Sequence, residues 1–245
     1  MRKVIWFSCG AASAVTAKRA KEKYGEITVA YCDTMVSEHP DNRRFFSDVQ
    51  EWIGQKIIVI GSTDYKDVDD VFKRTRFMSS PKGARCTAEM KKIPRFEFQR
   101  PDDIHFFGFT WEEASRIKGF EADNHDIQVE WILRDQAIDK KECYHIIKEA
   151  GIELPAMYQL GYTNNNCLGC VKATSPGYWN KIRQDFPGVF KRRAEQSREL
   201  GVRLARVKDV RVFLDELPED ATGDFKENIS CGPDCGLERQ TKFDF

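Results

Sequence analysis

Six of the eight cysteines in this 245-residue chain stand where thiols could do chemistry: Cys9, Cys86, Cys167, Cys170, Cys231 and Cys235. Cys167-Leu-Gly-Cys170 is a pair at two-residue spacing, which lets both thiolates grip one metal centre from a single turn. Zinc and iron–sulfur centres both accept thiolate, so the spacing alone does not choose between them. Cys235 has a glycine beside it and Arg239 nearby. A mobile thiolate next to a cation suits a nucleophile, and a metal-ligand role for Cys231 and Cys235 is the equal alternative. Cys32, ending a predicted strand, and Cys143, inside a predicted helix, read as small buried hydrophobes.

The second candidate is the stretch "VIWFSCGAASAV" at residues 4–15. A strand that breaks at small residues before a helix lets backbone N–H groups approach an anion, with the helix dipole behind them. The hydroxyls of Ser8, Ser13 and Thr16 add donors. No lysine lies inside the loop, so this is not the Walker pattern.

These residues need elements to position them. "KVIWFS", "ITVAYCD", "KIIVIG" and "DIHFFGF" predict four strands. Residues 11–24, "HPDNRRFFSDVQEWIG" and "TWEEASRIKGFEA" predict the helices between and after them. This alternation predicts an α/β domain with a central, mostly parallel sheet and helices on both faces. Ligands of such sheets sit beyond the carboxyl ends of the strands, so the segments ending at Ser8, Asp33, Ser62 and Phe109 should share one crevice. After "DKKECYHIIKEAG", a helix closed by Gly151, the run Asn164-Asn165-Asn166 suits a turn before the cysteine pair.

A long basic helix is expected from Trp179 to Leu200, bearing Lys181, Arg183, Lys191, Arg192, Arg193 and Arg198. It reads as a solvated face or as a strip for phosphate oxygens of a nucleotide or nucleic acid, with Tyr178 and Trp179 for stacking. The organisation expected is a nucleotide-binding domain over 1–172 and a helical and irregular, cysteine-bearing extension over 173–245 packed on it. His39, His105, His125 and His145 form no ligand spacing, and His105 and His145 read as structural.

Lys plus Arg equals Asp plus Glu at 39 each, which argues against a chain-wide electrostatic grip on nucleic acid. No apolar run reaches bilayer length, and Met-Arg-Lys leads straight into a strand instead of a signal peptide. A cytoplasmic protein with reduced thiols and no membrane partner is expected.

"SCGAASAV" resembles the modified PP-loop of the phosphoadenylyl-sulfate (PAPS) reductase family, within the adenine-nucleotide α-hydrolase-like group. ATP-cleaving members carry Ser-Gly-Gly-x-Asp-Ser; here Cys9 replaces the second residue and Ala12 the acid. The reductases often lack that acid as well, because they do not split ATP to pyrophosphate. "CDTMVSEHPDN" is similar to the family's Asp-Thr-Gly segment through Asp33 and Thr34, with Met35 in place of glycine. "GARCTAEMKKIP" is similar to Cys-Thr-x-x-x-Lys-x-x-Pro through Cys86, Thr87, Lys91 and Pro94. "GFTWEEASR" keeps Gly108 and Glu113 of Gly-x-Arg-x-x-Glu-Ser but not its arginine. "LPAMYQLGYTNNNCLGC" resembles the Pro-x-x-x-Tyr-x-x-Gly-Tyr-x-x-x-x-Cys-x-x-Cys stretch of cluster-containing members, closest to the adenylyl-sulfate reductases. The likeness covers residues 1–172.

The resemblance implies an adenine-nucleotide α-hydrolase-like fold that binds nucleotide on Ser8, Cys9, Gly10, Ala11, Ala12 and Ser13, with Asp33, Thr34 and Gly108 beside it. Cys86, Cys167 and Cys170 match three of the four ligands of the family's [4Fe–4S] cluster, Arg85 standing where the fourth would be. Cys9 or one of the C-terminal pair, Cys231 included, completes the set; otherwise one iron is open, as in PP-loop enzymes that thiolate tRNA. Zinc is the alternative metal. "DCGLE" at 234–238 resembles the reductases' Glu-Cys-Gly-Leu-His segment, with Glu238 in place of histidine and Cys231 extra.

Three functions follow. In a sulfonucleotide reductase, Cys235 attacks the sulfur of PAPS or adenylyl sulfate, adenylate leaves, and a thioredoxin-like partner releases sulfite. In an ATP-dependent sulfurtransferase of the tRNA-thiolation or DNA-phosphorothioation type, ATP activates a nucleic-acid site and the cluster delivers sulfur. Ala12 weighs against the latter, since ATP cleavage normally uses an acid to help hold the metal. A zinc-stabilised nucleotide-binding module without catalysis is the third.

Overall fold

Val4, Ile5, Trp6 and Phe7 are all buried, a run that only a strand covered on both faces can place. The computed structural model describes residues 1–80, 83–226, 229 and 231. In chain order the elements are β1 (Lys3–Phe7), α1 (Ala11–Tyr24), β2 (Thr28–Cys32), α2 (Asn42–Ile53), β3 (Ile57–Ile60), α3 (Val68–Thr75), β4 (Ser79–Ser80) and β5 (Gly83–Ala84). Then come α4 (Arg85–Thr87), a π-helical turn (Ala88–Lys92), α5 (Ile93–Phe98), β6 (Ile104–Phe107), α6 (Ala114–Asp123), β7 (Gln128–Glu130) and α7 (Ile132–Asp135). The chain continues with α8 (Lys140–Glu149), α9 (Ala156–Gln159), α10 (Pro176–Asp185), α11 (Pro187–Glu199), β8 (Ala205–Val207) and β9 (Val210–Val212).

The central sheet has five strands in the order β3-β2-β1-β6-β7, all parallel. Val4 pairs with Thr28 on one side and His105 on the other. Alternate residues of β1 serve two cores, as the two-residue period of a strand requires. Ile5 and Phe7 join Val15, Phe45, Val49 and Ile147 of the helices on one face. Val4 and Trp6 join Phe107, Ile117, Phe120 and Trp131 on the other. The expected α/β architecture with helices on both faces is therefore observed. The order reverses between β1 and β6, so the loops after these two strands diverge and open a crevice.

A fifth strand, β7, was not expected. It is three residues long at the sheet edge, and its polar termini give no apolar run to read. The single basic helix expected from Trp179 to Leu200 is two helices, α10 and α11, broken at Phe186-Pro187. Phe186 leaves helical geometry at φ −138°, ψ 63°, because proline disfavours helix at the residue before it.

Five of the six cations of this stretch, all but the exposed Lys191, have partners within the chain. Lys181 pairs with Asp185 at 2.9 Å and Arg192 with Asp69 at 3.1 Å. Arg183 donates to the Leu217 carbonyl at 2.7 Å, and Arg198 pairs with Asp215 and Glu216. Arg193 is buried, donating to the Gly169 carbonyl at 3.1 Å and to Asp69. Tyr178 and Trp179 are buried too, so neither offers a ring for stacking.

Residue 172 falls inside a hydrophobic cluster that joins Val71, Phe72, Met78 and Met90 to Trp179, Ile182, Phe190 and Leu214. The second half of the chain shares this core with the β3–β6 connection. Among the described residues no helix is long and apolar enough to cross a membrane.

Candidate nucleotide and thiol site

Cys9 adopts a left-handed conformation, φ 54°, which turns the chain sharply from β1 into α1. Inside the turn the Ser8 N–H donates to Ser13 Oγ at 3.1 Å, and Ser13 Oγ donates to the Gly10 carbonyl at 2.9 Å. The Ala11 N–H donates to the Tyr158 hydroxyl at 3.3 Å. The first N–H groups of a helix have no partners inside it, and in α1 the tyrosine takes that of Ala11.

Gly108, just beyond β6, is what brings the other side close. A Cβ there would stand 2.6 Å from Ser13 N and 2.9 Å from Ala12 C. Only glycine lets the β6 end pass so near the loop.

Between these two strand ends lies a cleft of about 300 Å³. Ser8, Gly10, Ala12, Ser13 and Gly108 line it, and so do Lys91 and Cys231. Tyr158, Lys140, Arg116, Glu112 and Glu113 also line it. The loop carries no cation of its own, but Lys140, Arg116 and Lys91 supply positive charge from α8, α6 and the π-helical turn, against the two carboxylates. Sequence reasoning gave Lys140, Arg116 and Tyr158 no role. Lys140 follows from no local spacing, since only the topology carries α8 to the loop.

Asp33 and Thr34, expected beside the nucleotide, do not line this cleft. Asp33 accepts the Met35 N–H at 3.1 Å. Thr34 is buried and donates to Glu38, whose other oxygen accepts from Asn42 Nδ2 at 2.7 Å. Asn42 Oδ1 in turn accepts from Asn165 Nδ2 at 2.8 Å, and the same amide donates to the Cys9 carbonyl at 2.7 Å. This buried chain ties the end of β2 to the loop and to the asparagine run.

That run does more than turn. Asn164 and Asn166 both donate to the Ile229 carbonyl, Asn166 at 2.8 Å, and Thr163 Oγ1 donates to the Lys226 carbonyl at 3.0 Å. Lys91 Nζ donates to the Cys231 carbonyl at 3.0 Å. Side chains thereby hold the carbonyls of Lys226, Ile229 and Cys231, and the last two residues line the cleft.

Cys231 arrives beside Cys170, and the two thiols hydrogen-bond. Cys86 and Cys167 lie within electrostatic range of both Cys231 and one another. The hydrogen bond from Cys170 holds Cys231 well below the usual thiol range, against its burial and with help from Lys91 and Lys172. The same bond, then burial, pushes Cys170 up. Burial, then the charge on Cys231, raises Cys86 to about 12. Burial opposes the charge on Lys91, but Cys231, Cys167 and Glu38 outweigh it and hold the ammonium protonated.

All the described cysteines are free thiols. As the thiols stand, no three or more His, Cys, Asp or Glu side chains among the described residues form a metal-holding arrangement. The donor set is nonetheless chemically suited to a thiolate-ligated centre: four thiols, one already favoured as thiolate, with lysines to offset the charge. Cys9 does not join them. Its thiol is buried in the first core and pushed up by burial and then by Glu38. Cys32 and Cys143 are buried as expected. Cys235 lies outside the described residues.

A scan against protein-family models finds no match to this chain, and no curated protein matches it.

Proposed function

We propose that the protein is a sulfonucleotide-reducing enzyme of the PAPS reductase type, built on an adenine-nucleotide α-hydrolase-like fold. One observation carries this reading: a single cleft runs from the Ser8–Ser13 loop to Cys231, so one ligand can touch a phosphate site and a thiol site at once. The loop N–H groups hold the phosphate. Lys91, bonded to the Cys231 carbonyl in the same cleft, offers positive charge to a sulfonate.

Cys86, Cys167, Cys170 and Cys231 would hold a [4Fe–4S] cluster, with zinc as the competing metal. A cluster bound there supplies redox-active iron. The thiolate of Cys235, four residues beyond Cys231 in sequence, attacks the ligand's sulfur. An S–S bond forms as the S–O bond breaks, and adenylate leaves with the electron pair. A dithiol of the thioredoxin class then attacks the Cys235 sulfur and releases sulfite. One observation favours this over the sulfurtransferase alternative: Cys231, bonded to Cys170, offers a fourth thiol beside Cys86, Cys167 and Cys170, which an open iron would not use.

The test is sulfite formation by anaerobically purified protein given PAPS, adenylyl sulfate and a dithiol reductant. The reading expects sulfite from one of the two, abolished by Cys235→Ser. No sulfite from either, or an unchanged rate in Cys235→Ser, contradicts it.

A further inference from the structure

We propose that Lys140 and Tyr158 form the second wall of the anion site opposite the Ser8–Ser13 loop, supplying the charge and the extra donor that the loop lacks. The inference rests on the nucleotide reading above and assigns which side chains hold the phosphate. Lys140 Nζ donates to the Thr163 carbonyl at 2.6 Å and to Asn164 Oδ1 at 2.9 Å. An ammonium has three donors, so one remains after these two. Both partners are neutral oxygens. Lys140 lines the cleft with Glu112 and Glu113, which act on it electrostatically without an ion pair among the described residues, so the lysine is the cation that an incoming anion would share with them.

Tyr158 is arranged to the same end. Its oxygen accepts N–H bonds from Ala11 and from the Asn165 backbone. A phenol with both acceptor positions filled keeps its O–H to give away. The hydroxyl lies 3.3 Å from where a Gly10 Cβ would be, beside the loop, and the Lys140 ammonium lies 6.0 Å from the same ring. An ammonium, a phenolic O–H and the start of α1 therefore border the same cleft. That is a site for an oxyanion such as the phosphate of a nucleotide.

Equilibrium binding of adenosine, adenosine 5′-monophosphate and inorganic phosphate tests this on the wild type, Lys140→Gln, Lys140→Arg and Tyr158→Phe. Lys140→Gln should weaken the monophosphate about ten- to hundredfold, as loss of a charge-assisted bond does. It should leave adenosine binding unchanged and flatten the salt dependence. Lys140→Arg should restore much of the loss, and Tyr158→Phe should cost about three- to tenfold.

Equal losses for adenosine and monophosphate, or no loss at all, would overturn the assignment and leave Lys140 as a tether for the Thr163–Asn164 turn. If the wild type binds inorganic phosphate in a Lys140-dependent way but neither adenosine nor the monophosphate, the anion wall stands and the adenine reading falls. Binding of the monophosphate that ignores both substitutions has the opposite meaning. Unchanged melting of each variant controls for folding.

Discussion

Replacing Gly108 with alanine is the sharpest perturbation of the cleft. The added Cβ would meet Ser13 N at 2.6 Å, Ser13 Cα at 2.7 Å and Ala12 C at 2.9 Å. Each is backbone at the start of α1, so no side chain can swing away to relieve the contact. The closest approach is about 0.8 Å short of ordinary van der Waals contact, and the loop must retreat as a unit. Overpacking of this kind costs about 2–3 kcal/mol, which in a chain of this size lowers the melting point by about 4–12 °C. The retreat also withdraws N–H donors from the phosphate, so nucleotide affinity should fall about tenfold or more. Gly119→Ala in α6 is the matched control: its Cβ meets nothing within 4 Å, and alanine in a helix should stabilise by about 0.5–1 kcal/mol. Urea denaturation and calorimetric titration with adenosine 5′-monophosphate read both effects. A Gly108→Ala protein as stable and as tight-binding as Gly119→Ala would refute the close-approach argument.

Other expectations concern the thiols, the core histidine and the second helical pair. Serine at any of Cys86, Cys167, Cys170 or Cys231 should lose bound iron in elemental analysis, whereas Cys32→Ala and Cys143→Ala should keep it. Iron retained after joint replacement of Cys167 and Cys170 would dismiss the ligand set. His105 is buried and accepts the Trp6 indole N–H on Nδ1 at 3.0 Å, and burial, then Arg95, lowers it to about 4. Its neutral form contributes about 3 kcal/mol above the unfolded value near 6.5, lost as pH falls towards 4. The stability gap between wild type and His105→Gln should therefore narrow from about pH 7.5 to about pH 4.5 in urea titrations; a constant gap would contradict this. Arg193→Ala removes bonds to Gly169 and Asp69 from a buried position and should destabilise by about 2–5 kcal/mol. Its effect should appear in the denaturation midpoint.

The sheet was legible where apolar runs were unbroken, as in "KVIWFS" and "DIHFFGF", and lost where β7 offers three half-polar residues at an edge. Pro187 was a readable stop inside the basic stretch, and it ends α10. The glycine at 108 could be picked out by pattern, but its reason, the backbone of Ser13 beneath it, exists only in three dimensions. The same is true of Lys140, Arg116 and Tyr158, which reach the loop through topology and not through spacing. Sequence did not distinguish Cys231 from Cys9 as a neighbour of Cys86, Cys167 and Cys170. In the structure Cys9 lies in the first core, whereas Cys231 hydrogen-bonds Cys170, with Lys91 on its carbonyl. Asp33 and Thr34 matched a motif, yet turn formation and the Glu38 network occupy them.

The most direct measurement is the iron, acid-labile sulfide and zinc content of the full chain purified without oxygen, with its visible spectrum before and after adenosine 5′-monophosphate. The account predicts about four irons and four sulfides per chain, with a spectrum that the nucleotide perturbs because phosphate loop and thiols share one cleft. One zinc with no sulfide, or a cluster spectrum indifferent to saturating nucleotide, would contradict it.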